Sequence, residues 1–116
     1  MNRIFFDLDG VICKTYLNDY KKSKKIQSSV KIINKLYDKG FWICIYTSRF
    51  MGRSNEKIYL AKKKGYNFTK KQLKSWGVKY HLLKFGKPSY DLFIDDKTLF
   101  FKKNWQKELI KILKIK

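Results

Sequence analysis

At 116 residues, with 44% hydrophobic and 17% aromatic side chains, the chain is long enough for one packed domain and too apolar for a disordered segment. Its 28 Lys and Arg against 9 Asp and Glu give a formal charge of +19, a balance that suits an anionic substrate or partner. Only Arg3, Arg49 and Arg53 are arginine; a dedicated nucleic-acid surface recruits more of arginine's bidentate fork, so the lysines read mainly as a solvated surface.

Residues 3–7 read as a strand whose unbroken Ile4-Phe5-Phe6 run implies burial on both faces. Residues 10–25 are irregular and basic. Ser28 or Ser29 caps a helix with Val30, Ile33, Leu36 and Tyr37 on one face, and Gly40 ends it. Residues 41–46 form a second buried strand and 47–53 a loop. A short helix over 56–64 closes at Gly65, and Thr69 with Gln72 makes a capping-box pattern for another, ending at Gly77. Residues 78–83 predict a third strand, weakened by Lys79 and His81, and 91–95 a fourth. The last helix starts near 103, with Trp105, Leu109, Ile112 and Leu113 on one stripe that reads as core packing. Short apolar runs alternating with amphipathic stretches predict one α/β domain over 1–116, a parallel sheet flanked by helices.

Cys13 and Cys44 both lie in apolar stretches, so no disulfide framework is expected and a reducing cytoplasm fits. No apolar run approaches the ~20 residues of a membrane helix, and the chain enters its first strand too early for a signal peptide. A cytoplasmic location without a membrane partner is the expectation.

Four of the nine acids sit in two tight pairs, Asp7 with Asp9 and Asp95 with Asp96, each at the end of an apolar run. Carboxylates this close resist burial unless a cation sits between them, which points to a hard metal ion and to chemistry on an anion. Ligands of open α/β sheets bind beyond the carboxyl ends of the strands. Asp7, Asp9, Thr47, Asp95 and Asp96 all fall at such predicted ends. Asp91, at the start of its strand, and His81, the lone histidine, read as structural.

The stretch FFDLDGVI resembles the first motif of the haloacid dehalogenase superfamily, in its phosphatase branch. IYTSR, FGKP and LFIDD resemble the second, third and fourth motifs, in order, over residues 4–96. The spacing FGKPSYDLFIDDK is similar to small bacterial phosphatases of capsule and surface-polysaccharide biosynthesis. The resemblance implies a Rossmann-like core of that superfamily and a phosphoric monoester hydrolase. Asp7 would be its nucleophile and Asp9 its general acid and base. Thr47 and Lys87 would steady the phosphoryl group. It implies Mg²⁺ on Asp7, the Asp9 carbonyl and Asp95, with Asp96 behind it. Gly10, Thr47, Ser48, Arg49 and Lys87 would meet the substrate.

The gaps from Asp9 to Thr47 and from Thr47 to Lys87 are filled by predicted core elements, so no cap domain is expected. Such an open site accepts a large substrate or is closed by a second copy of the chain. The expected substrate is a small phosphomonoester, a sugar phosphate or a short polyol or amino-alcohol phosphate. The alternatives are a nucleic-acid end (3′-)phosphatase, which the charge suits, and an inactive phosphate-binding module.

Overall fold

A computed structural model describes residues 2–115. Strands β1 (Arg3–Phe6), β4 (Trp42–Thr47) and β5 (Leu82–Phe85) form a parallel sheet in the order β1-β4-β5. A two-stranded antiparallel ribbon, β2 (Cys13–Lys14) with β3 (Lys24–Lys25), makes a flap after β1, closed by a 3₁₀ turn at Tyr20–Lys22. The helices are α1 (Gln27–Asp38), α2 (Ile58–Ser75) and α3 (Trp105–Leu113). The α/β class and the parallel sheet match the expectation from the sequence. Among the described residues no helix is long and apolar enough to cross a membrane.

The register sorts each strand's side chains onto two faces. Phe6, Ile43, Ile45, Leu83 and Phe85 join the side chains of α1, α2 and α3 in one buried cluster. Arg3, Phe5, Trp42, Tyr46, Leu82 and Lys84 lie on the opposite face, where Phe5 remains 50% exposed. The expectation that β1 is buried on both faces is therefore corrected. Both crossovers run in the same direction across the sheet, from β1 to β4 to β5, and right-handed connections of that kind place their helices on one side. The open face is covered by its own rings. Phe5 packs against Trp42 and Tyr46, and Arg3 and Lys84 lie over Trp42 and Tyr46.

Helix α1 starts after Ile26, not at a serine cap; Ser29 is inside the helix and buried. Gly40, at φ +93°, ends it in the left-handed region that favours glycine. His81 is structural. Its Nδ1 accepts from the Ile43 N–H at 3.0 Å, its own N–H donates to the Ile43 carbonyl at 2.9 Å, and its ring stacks on Tyr37 and Trp42. In α3, Trp105 and Leu109 are buried while Ile112 is 62% exposed, so only part of the predicted stripe is core.

Further expected elements are corrected. The third strand, expected over 78–83, is β5 at Leu82–Phe85, and the stretch before it is coil. The helices over 56–64 and from Thr69 are one continuous α2, and Gly65 lies inside it. Gly65 is there for packing: a Cβ on it would land inside the ring of Phe50. The fourth strand over 91–95 is absent, and that stretch is exposed coil. Pro88 removes a backbone donor. The Ser89 N–H and hydroxyl are tethered to Glu56 at 2.9 and 3.0 Å. Phe93 turns towards Tyr90, and the Asp95 carboxylate accepts from the Lys97 N–H in a local turn. The distant tether to Glu56 and the local contacts after it accompany a bent path in place of a strand.

Gly65→Ala gives a direct check on the α2 packing. In an open helix the change gains up to ~1 kcal/mol of propensity. Here overpacking against Phe50 should outweigh that, for a net loss of about 1–2 kcal/mol, read from the urea midpoint. Phe50→Leu in the same chain should restore most of it.

Candidate active site

The parallel register brings three sequence-predicted residues to one edge. Asp7 follows the last residue of β1, and Thr47 ends β4. The Lys87 N–H donates to the Thr47 carbonyl at 3.1 Å, continuing the β4–β5 pairing beyond the strands. Gly86, at φ +102°, makes the bend that turns Lys87 inward. The Lys87 Nζ then lies 3.5 Å from Asp7 Oδ2, and the Leu8 N–H donates to Asp7 Oδ1 at 2.8 Å. Tyr90 and Phe93 present their rings to the same ammonium at 5.1 and 5.7 Å.

Burial pushes the Asp7 carboxyl above the usual carboxylate range, against the opposing pull of Lys87 and the Leu8 N–H. Burial works to lower the Lys87 ammonium. The neighbouring Tyr90 and the Asp7 charge outweigh it and hold Lys87 above the ordinary lysine value. The site thus carries one ion pair whose anion is held against its desolvation.

Asp9 is built differently. Its two oxygens take a bidentate fork from Arg49, Nε to Oδ2 and Nη2 to Oδ1, both at 2.9 Å. The Thr15 hydroxyl also donates to Oδ1. The Arg49 side chain has no exposed surface, while the Asp9 side chain is 26% exposed. Arg49 Nη1 donates to Gln72 Oε1 at 2.7 Å and to Thr69 Oγ1 at 3.4 Å. Nη2 also reaches Ser23 Oγ at 3.3 Å, and the Tyr20 ring covers the guanidinium at 4.7 Å. Beside this pair, burial and the Asp9 charge push the Cys13 thiol up to about 11.

Gly10, at φ +91°, makes the turn after Asp9, with its N–H donating to the Cys13 carbonyl at 2.8 Å. Thr47 is buried, and its Oγ1 accepts from the Arg49 N–H at 3.0 Å; Ser48 beside it is half-buried. Arg49, expected to meet substrate, is instead spent internally on Asp9. Asp95 and Asp96 are exposed, and no cluster of three acidic, histidine or cysteine groups occurs among the described residues. The expectation that Asp95 stands at a strand end beside Asp7 is not met here, because the strand that would carry it is coil.

Sequence reasoning missed Thr15, Tyr20, Ser23, Thr69 and Gln72 as partners of the Asp9–Arg49 pair. Thr69 and Gln72 share a helix face, and that spacing was the available signal. A capping box uses the same spacing, and the chain uses it to grip Arg49.

No family model and no curated protein matches the chain. Its fold is similar to a crystal structure of a Vibrio cholerae protein described only as an MCSG target. The TM-score is 0.80 at 20% identity, over 97% of this chain and 99% of that one. That likeness supports the α/β fold.

The Asp7 environment has a consequence for stability. A carboxyl whose folded pKa lies above its unfolded value binds protons more tightly when folded, so ionising it near neutral pH works against folding. Asparagine mimics the protonated acid and keeps the bond from Leu8. In metal-free buffer, Asp7→Asn should therefore raise the urea midpoint at pH 7. The gain should vanish as pH falls below the ordinary carboxylate value near ~3.9, where wild-type Asp7 is protonated in both states. An equal gain at pH 7 and pH 3.5 would contradict the burial of charge described above.

Proposed function

We propose that the chain is a phosphomonoesterase with a Rossmann-like core of the haloacid dehalogenase superfamily and no cap domain. The observation that carries the reading is the partly buried Asp7–Lys87 pair at the sheet's carboxyl edge, 3.5 Å apart, with Asp9 two residues on. An anionic nucleophile facing a phosphate dianion needs nearby positive charge, and Lys87 supplies it. An Asp7 oxygen attacks phosphorus, the P–O ester bond breaks, and the leaving alkoxide takes a proton from Asp9. Water, giving a proton back to Asp9, then cleaves the aspartyl-phosphate to free phosphate and Asp7. Thr47 holds the loop that borders the phosphoryl group through its bond to the Arg49 N–H.

Mg²⁺ is the proposed cofactor. The donors present are all hard oxygens, and Mg²⁺ commonly takes one or two carboxylates with substrate oxygens and water. Asp7 and the Asp9 carbonyl would hold it, with Asp95 proposed as a further ligand and Asp96 behind it. When bound it neutralises phosphoryl charge. The substrate class is a small phosphorylated metabolite, such as a sugar or polyol phosphate, of the kind used in capsule synthesis. The proposed setting is cytoplasmic.

A Mg²⁺-supplemented screen of sugar, polyol and amino-alcohol phosphates, nucleotides and 3′-phosphorylated oligonucleotides tests the reading. Turnover should be abolished by EDTA, restored by Mg²⁺, and lost in Asp7→Asn. Hydrolysis that persists in metal-free protein, or in Asp7→Asn, would sink it.

Salt separates the substrate classes. A protein neutralising ~6 phosphates of a nucleic acid loses roughly 10³ in affinity between about 50 and 200 mM salt. The small-ester KM should rise only a few-fold over that range, since the phosphate would meet the partly buried Lys87. A steep slope together with preferred cleavage of oligonucleotide ends would favour the nucleic-acid end phosphatase.

A further inference from the structure

The fully buried Arg49 is chemically expensive and touches no open surface, so its place asks for a role. Its partners come from three separate parts of the chain. Asp9 belongs to the turn after β1, Ser23 and Tyr20 to the flap, and Thr69 and Gln72 to α2. Gln72 does double work: its Oε1 accepts from Arg49 at 2.7 Å, and its Nε2 donates to the Tyr20 carbonyl at 2.8 Å. Arg49, Gln72 and the flap are thus one connected polar network, and Asp9 is its end nearest solvent.

The network also distinguishes the two Asp9 oxygens. Oδ1 accepts from Arg49 Nη2 and from the Thr15 hydroxyl, with the Cys13 thiol at 3.4 Å. Oδ2 accepts from Arg49 Nε alone among these partners. A carboxylate oxygen has about two lone-pair sites, so Oδ2 is the oxygen with capacity left to exchange a proton. A lysine at position 49 would act as a point charge and would not fix the carboxyl plane.

We infer that Arg49 is a positioning residue, which holds the Asp9 carboxyl in one orientation with one lone-pair site of Oδ2 left open and locks that orientation to the flap through Gln72. This rests on the phosphomonoesterase reading above and assigns Arg49 to Asp9 instead of to substrate.

The test uses two variants and two substrates. Arg49→Lys keeps charge but loses the fork; Gln72→Met keeps shape but frees Arg49 Nη1 and the flap, while the Asp9–Arg49 charge pair stays in place. Each is assayed for steady-state turnover of an alkyl phosphate and for the first-turnover burst with p-nitrophenyl phosphate, whose leaving group needs little protonation. Misplacing a catalytic group by about 1 Å costs on the order of 10²-fold. Arg49→Lys should lose about that in kcat on the alkyl ester, with KM little changed and the p-nitrophenol burst nearly intact. Gln72→Met should show the same split at smaller size. A merely structural role would lower both substrates together. Equal losses on the two esters, or full alkyl-ester turnover in a folded Arg49→Lys, would overturn the inference. If Arg49→Lys does not fold, an unsplit loss in Gln72→Met overturns it. A wild-type chain that hydrolyses neither ester instead overturns the phosphomonoesterase reading itself.

Discussion

The structure turns on the burial of one guanidinium. A charge taken out of water is tolerated only when its donors are matched, and removing one partner of a buried pair typically costs about 3–5 kcal/mol. Arg49 meets that demand by drawing in Asp9, Ser23, Thr69 and Gln72, with Tyr20 as a lid. The flap depends on this. Its ribbon pairs only Cys13 with Lys25 and Lys14 with Lys24, and a two-stranded ribbon so short has little stability alone. It is held in place by the polar network beneath it and by the Ile26 N–H bond to the Ile12 carbonyl at 2.8 Å.

Much of the fold was legible because it is set by apolar periodicity. The runs that became β1 and β4, and the stripes of α1 and α3, are local signals that tertiary contacts reinforced. What failed was set by contacts between distant residues. Gly65 looked like a helix stop, yet it is a notch for Phe50. Residues 91–95 looked like a strand, yet the Glu56–Ser89 tether and the rings gathered on Lys87 bend them otherwise. In the candidate site, Asp7 and Thr47 were readable as predicted strand ends and Lys87 through the resemblance of FGKP, and the three do share one edge. The partners of Arg49 were not readable, because Thr, Ser, Gln and Tyr are common residues whose meaning here comes only from what they touch.

The arginines themselves were a signal. In a chain that fills its surface with lysine, each of the three arginines stacks on aromatic rings: Arg3 on Trp42, Arg49 on Tyr20, and Arg53 on both Tyr20 and Phe50. A flat, weakly hydrated cation can lie against a ring at less desolvation cost than a compact ammonium. The same physics explains why a sheet with helices on one side is workable. The open face is rich in Phe5, Trp42 and Tyr46, and the stems and charges of Arg3 and Lys84 shield it.

The two site carboxylates are two residues apart and face cations of different kinds. Lysine is a point charge on a flexible stem, so Lys87 balances Asp7 without fixing its plane, and at 3.5 Å it leaves Asp7 Oδ2 room to approach another atom. Arginine is a rigid fork, so Arg49 fixes Asp9 at both oxygens. A group that must form a bond needs freedom to move towards its target, whereas a group that passes a proton needs to be in the right place beforehand. On the phosphomonoesterase reading proposed above, the lysine beside the first carboxylate leaves a nucleophile free to move, and the arginine on the second holds a proton donor in place. It also explains why the chain buries one of its few arginines here, and not another lysine.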